Sequence, residues 1–355
     1  MTDSSLPEKS LEQQYAEAAQ PFIDNGGPHN TDTFKVKSAR YFVEINTQCN
    51  LHCSMCIVDN RVGHEHQKGL MDMELLPKIL DKIQSENPKA IILMYGNSEP
   101  FLHPHLPECI AEVRKRGLGC EVSSNLNHVN RLEDFFAAKP SLLFISLSGF
   151  TQDVYVRAHQ GGNIDKVKAN MQLVAKAWEG HHDVAVIVHY HKYRDNTHPE
   201  ELWAMWHYAK ELGFNFTTSW ARVISMENSI QYLRGLDQNP AAWEWADKFP
   251  PVTEKFSKNI DRLSINPDKA KRMYAEYPVA NVCPIGDAFS FVRHDGQASL
   301  CACVADRRLL LGNYLEMTQD QLSEARRNHS FCQECQHHRM NLYFHIIKPK
   351  EFDPT

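Results

Sequence analysis

From about residue 40 the chain alternates short β-type runs with amphipathic helical patterns, and this rhythm limits the fold more than any other feature. Strand-like runs fall at 41–46, 90–95, 119–124, 142–147, 184–190 and 214–220. Helical patterns, apolar at i, i+3 and i+4, lie near 73–85, 106–116, 130–138, 163–179 and 199–212. Gly117 and Gly213 stand where helix C-caps are expected. Six β/α units in series predict an α/β fold with a parallel sheet. It is either a partial (β/α)6 TIM-type barrel or an open doubly wound sheet. In both, chemistry gathers at the C-terminal ends of the strands.

The rest of the 355 residues divides around that core. Residues 1–38 read as a polar N-terminal extension with one short amphipathic stretch, and 39–224 as the β/α core. Residues 225–282 change character and read as a linker or lid, with a charged helical stretch near 261–274. Residues 283–347 are Cys-rich with little regular pattern, as in a small domain held by metal, and 348–355 form a tail. Charged residues are 23% and hydrophobic ones 42%, an ordinary soluble composition, and the net charge of −6 argues against a nucleic-acid partner. No apolar run approaches the ~20 residues that span a bilayer. The first twenty residues lack the apolar core of a secretory signal, so the expectation is a cytoplasmic protein with no membrane partner.

In that setting ten cysteines point to metal or catalysis rather than disulfides. Three of them, Cys49, Cys53 and Cys56, form a C-x3-C-x2-C run just past the first strand. Iron–sulfur clusters are usually held by four thiolates. A compact loop of three either borrows a distant ligand or leaves one iron open for a small molecule. The alternative is a partial zinc site completed by His52 or His64. Glu99, in Gly96-Asn-Ser-Glu99-Pro100, falls just past the second strand.

The Cys run followed by the Glu99 segment resembles the radical S-adenosylmethionine (SAM) family over about residues 40–220. The resemblance implies a 4Fe–4S cluster on Cys49, Cys53 and Cys56, with SAM chelated to the open iron. It places Met55 beside the SAM adenine and gives Gly96, Ser98 and Glu99 the SAM amino group, with Ser98 where Gly is usual. Ser124 and Asn125 match a third-strand motif near the ribose. Ser146 and Ser148 match a fourth-strand motif, with Ser148 where Asp is usual. In the stretch after Gly149, either Arg157 or His159 holds the SAM carboxylate.

Cys283, Cys301, Cys332 and Cys335 resemble the ligand set of the Twitch domain, the short relative of SPASM domains. The spacing is also similar to that of the 2-deoxy-scyllo-inosamine dehydrogenase family. This implies an auxiliary 4Fe–4S cluster that carries electrons or stabilises structure; the same four thiols would also suit structural zinc. Cys303 is left over. It is a ligand in place of Cys301, a buried apolar residue, or a thiol hydrogen donor. Cys109 and Cys120 read as core.

On the substrate side, strand alternation puts His189 and His191 on one face, able to hydrogen-bond hydroxyls or accept a proton. Glu44, Trp220 and Arg222 are secondary candidates, and satisfied core or surface histidines are the plainer reading. The resemblance implies that a flavodoxin or ferredoxin supplies one electron and that SAM is cleaved to a 5′-deoxyadenosyl radical, which abstracts hydrogen from carbon. The expectation is a radical SAM oxidoreductase acting on a small polyol or sugar-like metabolite, with the auxiliary cluster accepting an electron. The alternatives are a peptide-modifying enzyme that crosslinks or epimerises, Cys303 being the hydrogen donor in the epimer case, and a noncatalytic iron–sulfur sensor or metal-binding scaffold.

Overall fold

The computed structural model describes residues 40–57, 68–237, 243–275, 283, 285–286 and 289–345. The N-terminal extension 1–38, His64 and the tail 348–355 lie outside the described residues. Six parallel strands follow one another in order: β1 (Arg40–Val43), β2 (Ile91–Leu93), β3 (Gly119–Ser124), β4 (Leu142–Leu147), β5 (Ala185–Lys192) and β6 (Asn215–Trp220). Between them run helices α1 (Leu75–Glu86), α2 (Leu106–Lys115), α3 (Leu132–Ala137), α4 (Gln152–Ala158), α5 (Ile164–Trp178) and α6 (Pro199–Glu211). This is the expected α/β architecture. Among the described residues the sheet does not close, because nothing pairs with the outer edge of β6.

Local chemistry explains the boundaries. In α1 the apolar residues Leu76, Ile79, Leu80 and Ile83 form one buried stripe at i, i+3, i+4 spacing. In α2, Pro107 occupies the first turn, where its missing N–H costs nothing, Glu108 sits at the positive end and Arg114 and Lys115 at the negative end. Gly117 follows at φ +72°, the left-handed conformation that ends such a helix. The Asn163 side chain caps α5 by accepting from the Lys166 N–H. The buried helix stripes meet alternate strand residues, such as Val43, Ile92, Val122, Ile145 and Val188, in one apolar core that also takes in Cys109 and Cys120. The opposite residues, including Arg40, Phe42, Glu121, Phe144, Ser146, His189 and His191, face the concave side.

The C-terminal segment departs from the expectation of little regular structure. Strand β7 (Phe289–Val292) lies parallel beside β1, with Arg40 opposite Phe289 and Val43 opposite Val292. Strands β8 (Gln297–Ser299) and β9 (Leu310–Asn313) extend the same sheet antiparallel. The physical reason is that β1 otherwise has an unpaired edge. The Phe-Ser-Phe-Val alternation also sets Phe289 and Phe291 against Phe42, at ring separations of 5.7 and 5.6 Å. Residues 225–282 contribute α7 (Met226–Leu236), α8 (Glu254–Ile260) and α9 (Pro267–Met273). With α11 (Ser330–His337) and a 3-10 turn at Met340–His345, these helices contribute to a second apolar core, which includes Phe249, Phe256, Phe331 and Tyr343, whereas α10 (Gln319–Asn328) buries Leu322 in the first.

Candidate active site and cysteine clusters

The loop after β1 carries Cys49, Cys53 and Cys56, all partly buried and none in a disulfide. Its backbone is held by the turn that ends α4: the His52 N–H donates to the Gln160 carbonyl (2.9 Å) and the Ser54 N–H to that of Ala158 (3.0 Å). Met55 is buried, and its carbonyl accepts from the Ile224 N–H beyond β6 (3.2 Å). Burial pushes the Cys49 thiol up to about 12, with backbone hydrogen bonds pulling against it. Such a thiol loses its proton readily only when a cation binds the sulfur.

Glu99 ties three strand ends together. Its backbone N–H donates to the Gln48 carbonyl (2.8 Å), and its own carbonyl accepts from Asn46 Nδ2 (3.2 Å). Its carboxylate accepts from Ser124 Oγ (2.7 Å), the Asn125 N–H (2.8 Å) and the Phe101 N–H (3.2 Å). Burial lifts its pKa to about 7, against the pull of these donors. Asn125 Nδ2 reaches Asn50 Oδ1 at 3.0 Å and lies 3.9 Å from Cys49 Sγ. Gly96 and Ser98 are half-buried in the same loop.

At the ends of β4 and β5, Ser146 Oγ and His191 Nε2 are 2.9 Å apart. The His189 ring nitrogens meet Thr217 Oγ1 (2.8 Å) and Ser219 Oγ (2.9 Å) on β6. The two imidazoles share one face, 4.7 Å apart. Burial lowers the His191 pKa to about 4, with Arg222 adding to the effect. His159 stacks flat on Tyr155 (4.8 Å, 4°) and is lowered to about 3, first by burial and then by His191. Arg157 instead lies at the surface, half exposed and paired with Asp195 at 3.5 Å. Of the two, only His159 is buried. Ser148 Oγ and His159 Nδ1 are buried here without a hydrogen-bond partner, as is Asn97 Nδ2 in the Glu99 loop.

The second group assembles around a cavity of about 210 Å³ lined by Cys283, Cys301, Cys332 and Cys335, with Arg326 and Phe331. Backbone N–H groups of Gly286 and Cys303 point at Cys283 Sγ and Cys301 Sγ, each at 3.3 Å. Burial raises Cys332 and Cys335, and the charges of neighbouring sulfurs raise them further. Cys303 donates its thiol to Cys301, which lowers Cys301 and raises Cys303. Cys303 is buried beside the cavity in the second core.

Sequence reasoning missed the residues that lock these pieces together. Arg40 and Glu121 form a buried pair on the concave face, Arg40 Nη1 donating to both carboxylate oxygens (2.9 and 2.8 Å). Asn196 joins the ends of β4 and β5 by donating to the Ser148 and His191 carbonyls, both at 2.9 Å. A polar residue in an otherwise apolar strand pattern was the available signal for Arg40 and Glu121. Asn196 carried none.

Residues 43–202, from the end of β1 into α6, match the family model described as the Radical SAM superfamily. A curated relative, the tungsten-containing aldehyde ferredoxin oxidoreductase cofactor-modifying protein of Pyrococcus furiosus, is 33% identical over 113 residues. That match covers 32% of this chain and 30% of the relative's length. Among solved structures, anSMEcpe with bound AdoMet is similar at TM-score 0.51 and 17% identity, over 83% of this chain and 82% of that one. Streptococcus suis SuiB bound to precursor peptide SuiA is similar at TM-score 0.53 and 11% identity, over 95% and 74%. At these identities the likeness is one of fold.

The stretch 43–202 thus resembles a radical SAM domain, matched over less than half of the chain. Such a domain implies a 4Fe–4S cluster and SAM. The residues fit that demand: three loop thiols in no disulfide and, at neighbouring strand ends, buried polar atoms still lacking partners.

Proposed function

We propose that this protein is a radical SAM oxidoreductase acting on a small hydroxylated metabolite, a polyol or sugar-like molecule. When bound, the first cluster and SAM would supply a 5′-deoxyadenosyl radical, and an auxiliary cluster an electron acceptor. Cys49, Cys53 and Cys56 would hold the first cluster, with Met55, Gly96, Ser98, Glu99, Ser124, Asn125, Ser146, Ser148 and His159 around SAM. Cys283, Cys301, Cys332 and Cys335 would hold the auxiliary cluster. Two backbone N–H groups on its sulfurs and the guanidinium of Arg326 at the cavity wall support that reading, because such donors stabilise thiolate ligands.

The observation that carries the substrate class is the concave surface at the ends of β4, β5 and β6. There His189 and His191 stand 4.7 Å apart amid the hydroxyls of Ser146, Thr217 and Ser219. Burial keeps His191 uncharged at neutral pH, so this surface offers neutral donors and acceptors suited to hydroxyl groups. His191 Nε2, linked to Ser146 Oγ, would relay the proton that leaves the substrate as it is oxidised. A flavodoxin or ferredoxin would deliver the electron, and the setting would be cytoplasmic.

The edge of β6 that is unpaired among the described residues, one strand from His189, favours a second reading, in which an extended peptide lies along that edge and is crosslinked or epimerised. One experiment tests both. Anaerobically reconstituted, reduced protein is incubated with SAM, and 5′-deoxyadenosine is quantified with a panel of polyols and of peptides. Radical SAM oxidation requires cofactor cleavage stimulated by a polyol, with product two mass units lighter. Stimulation by a peptide alone, with solvent deuterium in the product and dependence on Cys303, replaces the first reading with the second. No 5′-deoxyadenosine under any condition removes both.

A further inference from the structure

Gly96 in the Glu99 loop does not need glycine's conformational freedom, since its φ lies outside the left-handed region. What excludes a side chain there is a neighbour from the far end of the sequence. A Cβ built on Gly96 would lie 2.9 Å from Cζ and 3.0 Å from Cε2 of Phe291, on β7. The Phe291 ring is itself confined. It is 3% exposed, stacks on Phe42 at 5.6 Å and 22°, and is capped by the Arg293 guanidinium at 5.8 Å. Arg293 is fixed in turn, donating to Ser299 Oγ (3.0 Å) and to the Val304 and Ala305 carbonyls (both 3.1 Å).

We propose that Phe291 is a positioning residue for the SAM loop. Its ring edge is the floor on which Gly96 rests, so a strand from the C-terminal segment completes the SAM site. This rests on the reading, given above, that residues 96–99 contact SAM. A packed interior yields little to added volume, so the ring height fixes the loop's depth. Loop depth then sets where the backbone around Gly96 and the Glu99 carboxylate meet the ligand, and a shift of a fraction of an ångström degrades such a site.

The test is a steric rescue. Gly96→Ala, Phe291→Leu and the double variant are reconstituted, and SAM affinity is read from the SAM-induced change in the spectrum of the reduced first cluster. Iron content and melting temperature are recorded alongside. Gly96→Ala should weaken SAM binding roughly tenfold or more, the usual scale of overpacking. Phe291→Leu, by removing the offending ring edge, should restore the double variant to within a few-fold of wild type. The proposal is overturned if Gly96→Ala binds SAM normally, or if the double variant is as weak as Gly96→Ala. It is equally overturned if the substitutions move only the melting temperature, since Phe291 would then be ordinary core. Should Gly96→Ala fail to hold iron, Phe291→Trp presses the loop from the other side and must weaken SAM; an unchanged affinity sinks the idea. Failure of the underlying SAM reading looks different, because wild-type protein would itself give no spectral response.

Discussion

Replacing Glu99 with Gln should make the protein more stable above pH 7 while weakening SAM binding. Glu99 is 2% exposed, and burial raises its pKa from 4.5 to about 7. A carboxyl raised in this way contributes stability that is fully present below about pH 4.5 and lost as pH rises through about 7. That loss is about 3 kcal/mol, and a neutral Gln escapes it. Against the gain stands donor geometry. The Phe101 and Asn125 N–H groups are backbone donors and cannot reverse, so the Gln amide nitrogen must face one of them. A mismatched buried donor costs about 1–2 kcal/mol. The balance is a variant about 1–2 kcal/mol more stable than wild type at pH 8 and equal or weaker near pH 4. Urea unfolding of both proteins at equal iron content, at the two pH values, measures this directly. A variant less stable than wild type by more than about 1 kcal/mol at pH 8 would refute the reasoning, showing that three hydrogen bonds outweigh the burial of charge.

Other substitutions probe separate parts of the molecule. Arg234 donates to both oxygens of Glu334 (2.7 and 2.6 Å), and Glu334 is fully buried next to Cys335. Arg234→Ala strands that carboxylate and should cost about 3–5 kcal/mol by chemical denaturation, with Arg234→Met/Glu334→Leu much milder. His159 and His191, held near 3 and 4 by burial, contribute stability that is complete above about pH 6.5 and drains away as pH falls toward 4. His191→Gln should flatten the decline of melting temperature between pH 7 and 4.5; an unchanged slope speaks against a neutral buried imidazole. On the proposed two-cluster reading, replacing Cys332 and Cys335 together with Ala should remove about four iron atoms per chain and leave the SAM-responsive signal intact.

The parallel sheet was legible because its strands are short β-type runs, apolar at every second residue in most of them, separated by helical periodicity and punctuated by Gly117 and Gly213. The ends of β3 and β4 coincide with those read from sequence alone. The Cys loop and Glu99 were legible because short fixed spacing is a local property. What escaped depends on distance along the chain. Nothing in Phe289-Ser-Phe-Val announces β1 as its partner, and nothing near Glu99 reveals that Ser124 and Asn125 hold its carboxylate. Arg157 and His159 were equivalent as letters. The structure stacks His159 on Tyr155 in the interior and draws Arg157 to Asp195 at the surface, a difference that no local pattern announces.

The pairing of β1 with β7 also constrains how the protein can be made. When β1 leaves the ribosome, the strand that covers its second edge is roughly 250 residues away, on the order of 10–50 s of translation. Until then the nascent chain presents a bare edge flanked by the Phe42 ring, the kind of surface that invites chaperones or self-association. Shortened versions ending before residue 289 would keep that edge bare permanently, so they should be recovered as aggregates rather than as a smaller folded protein.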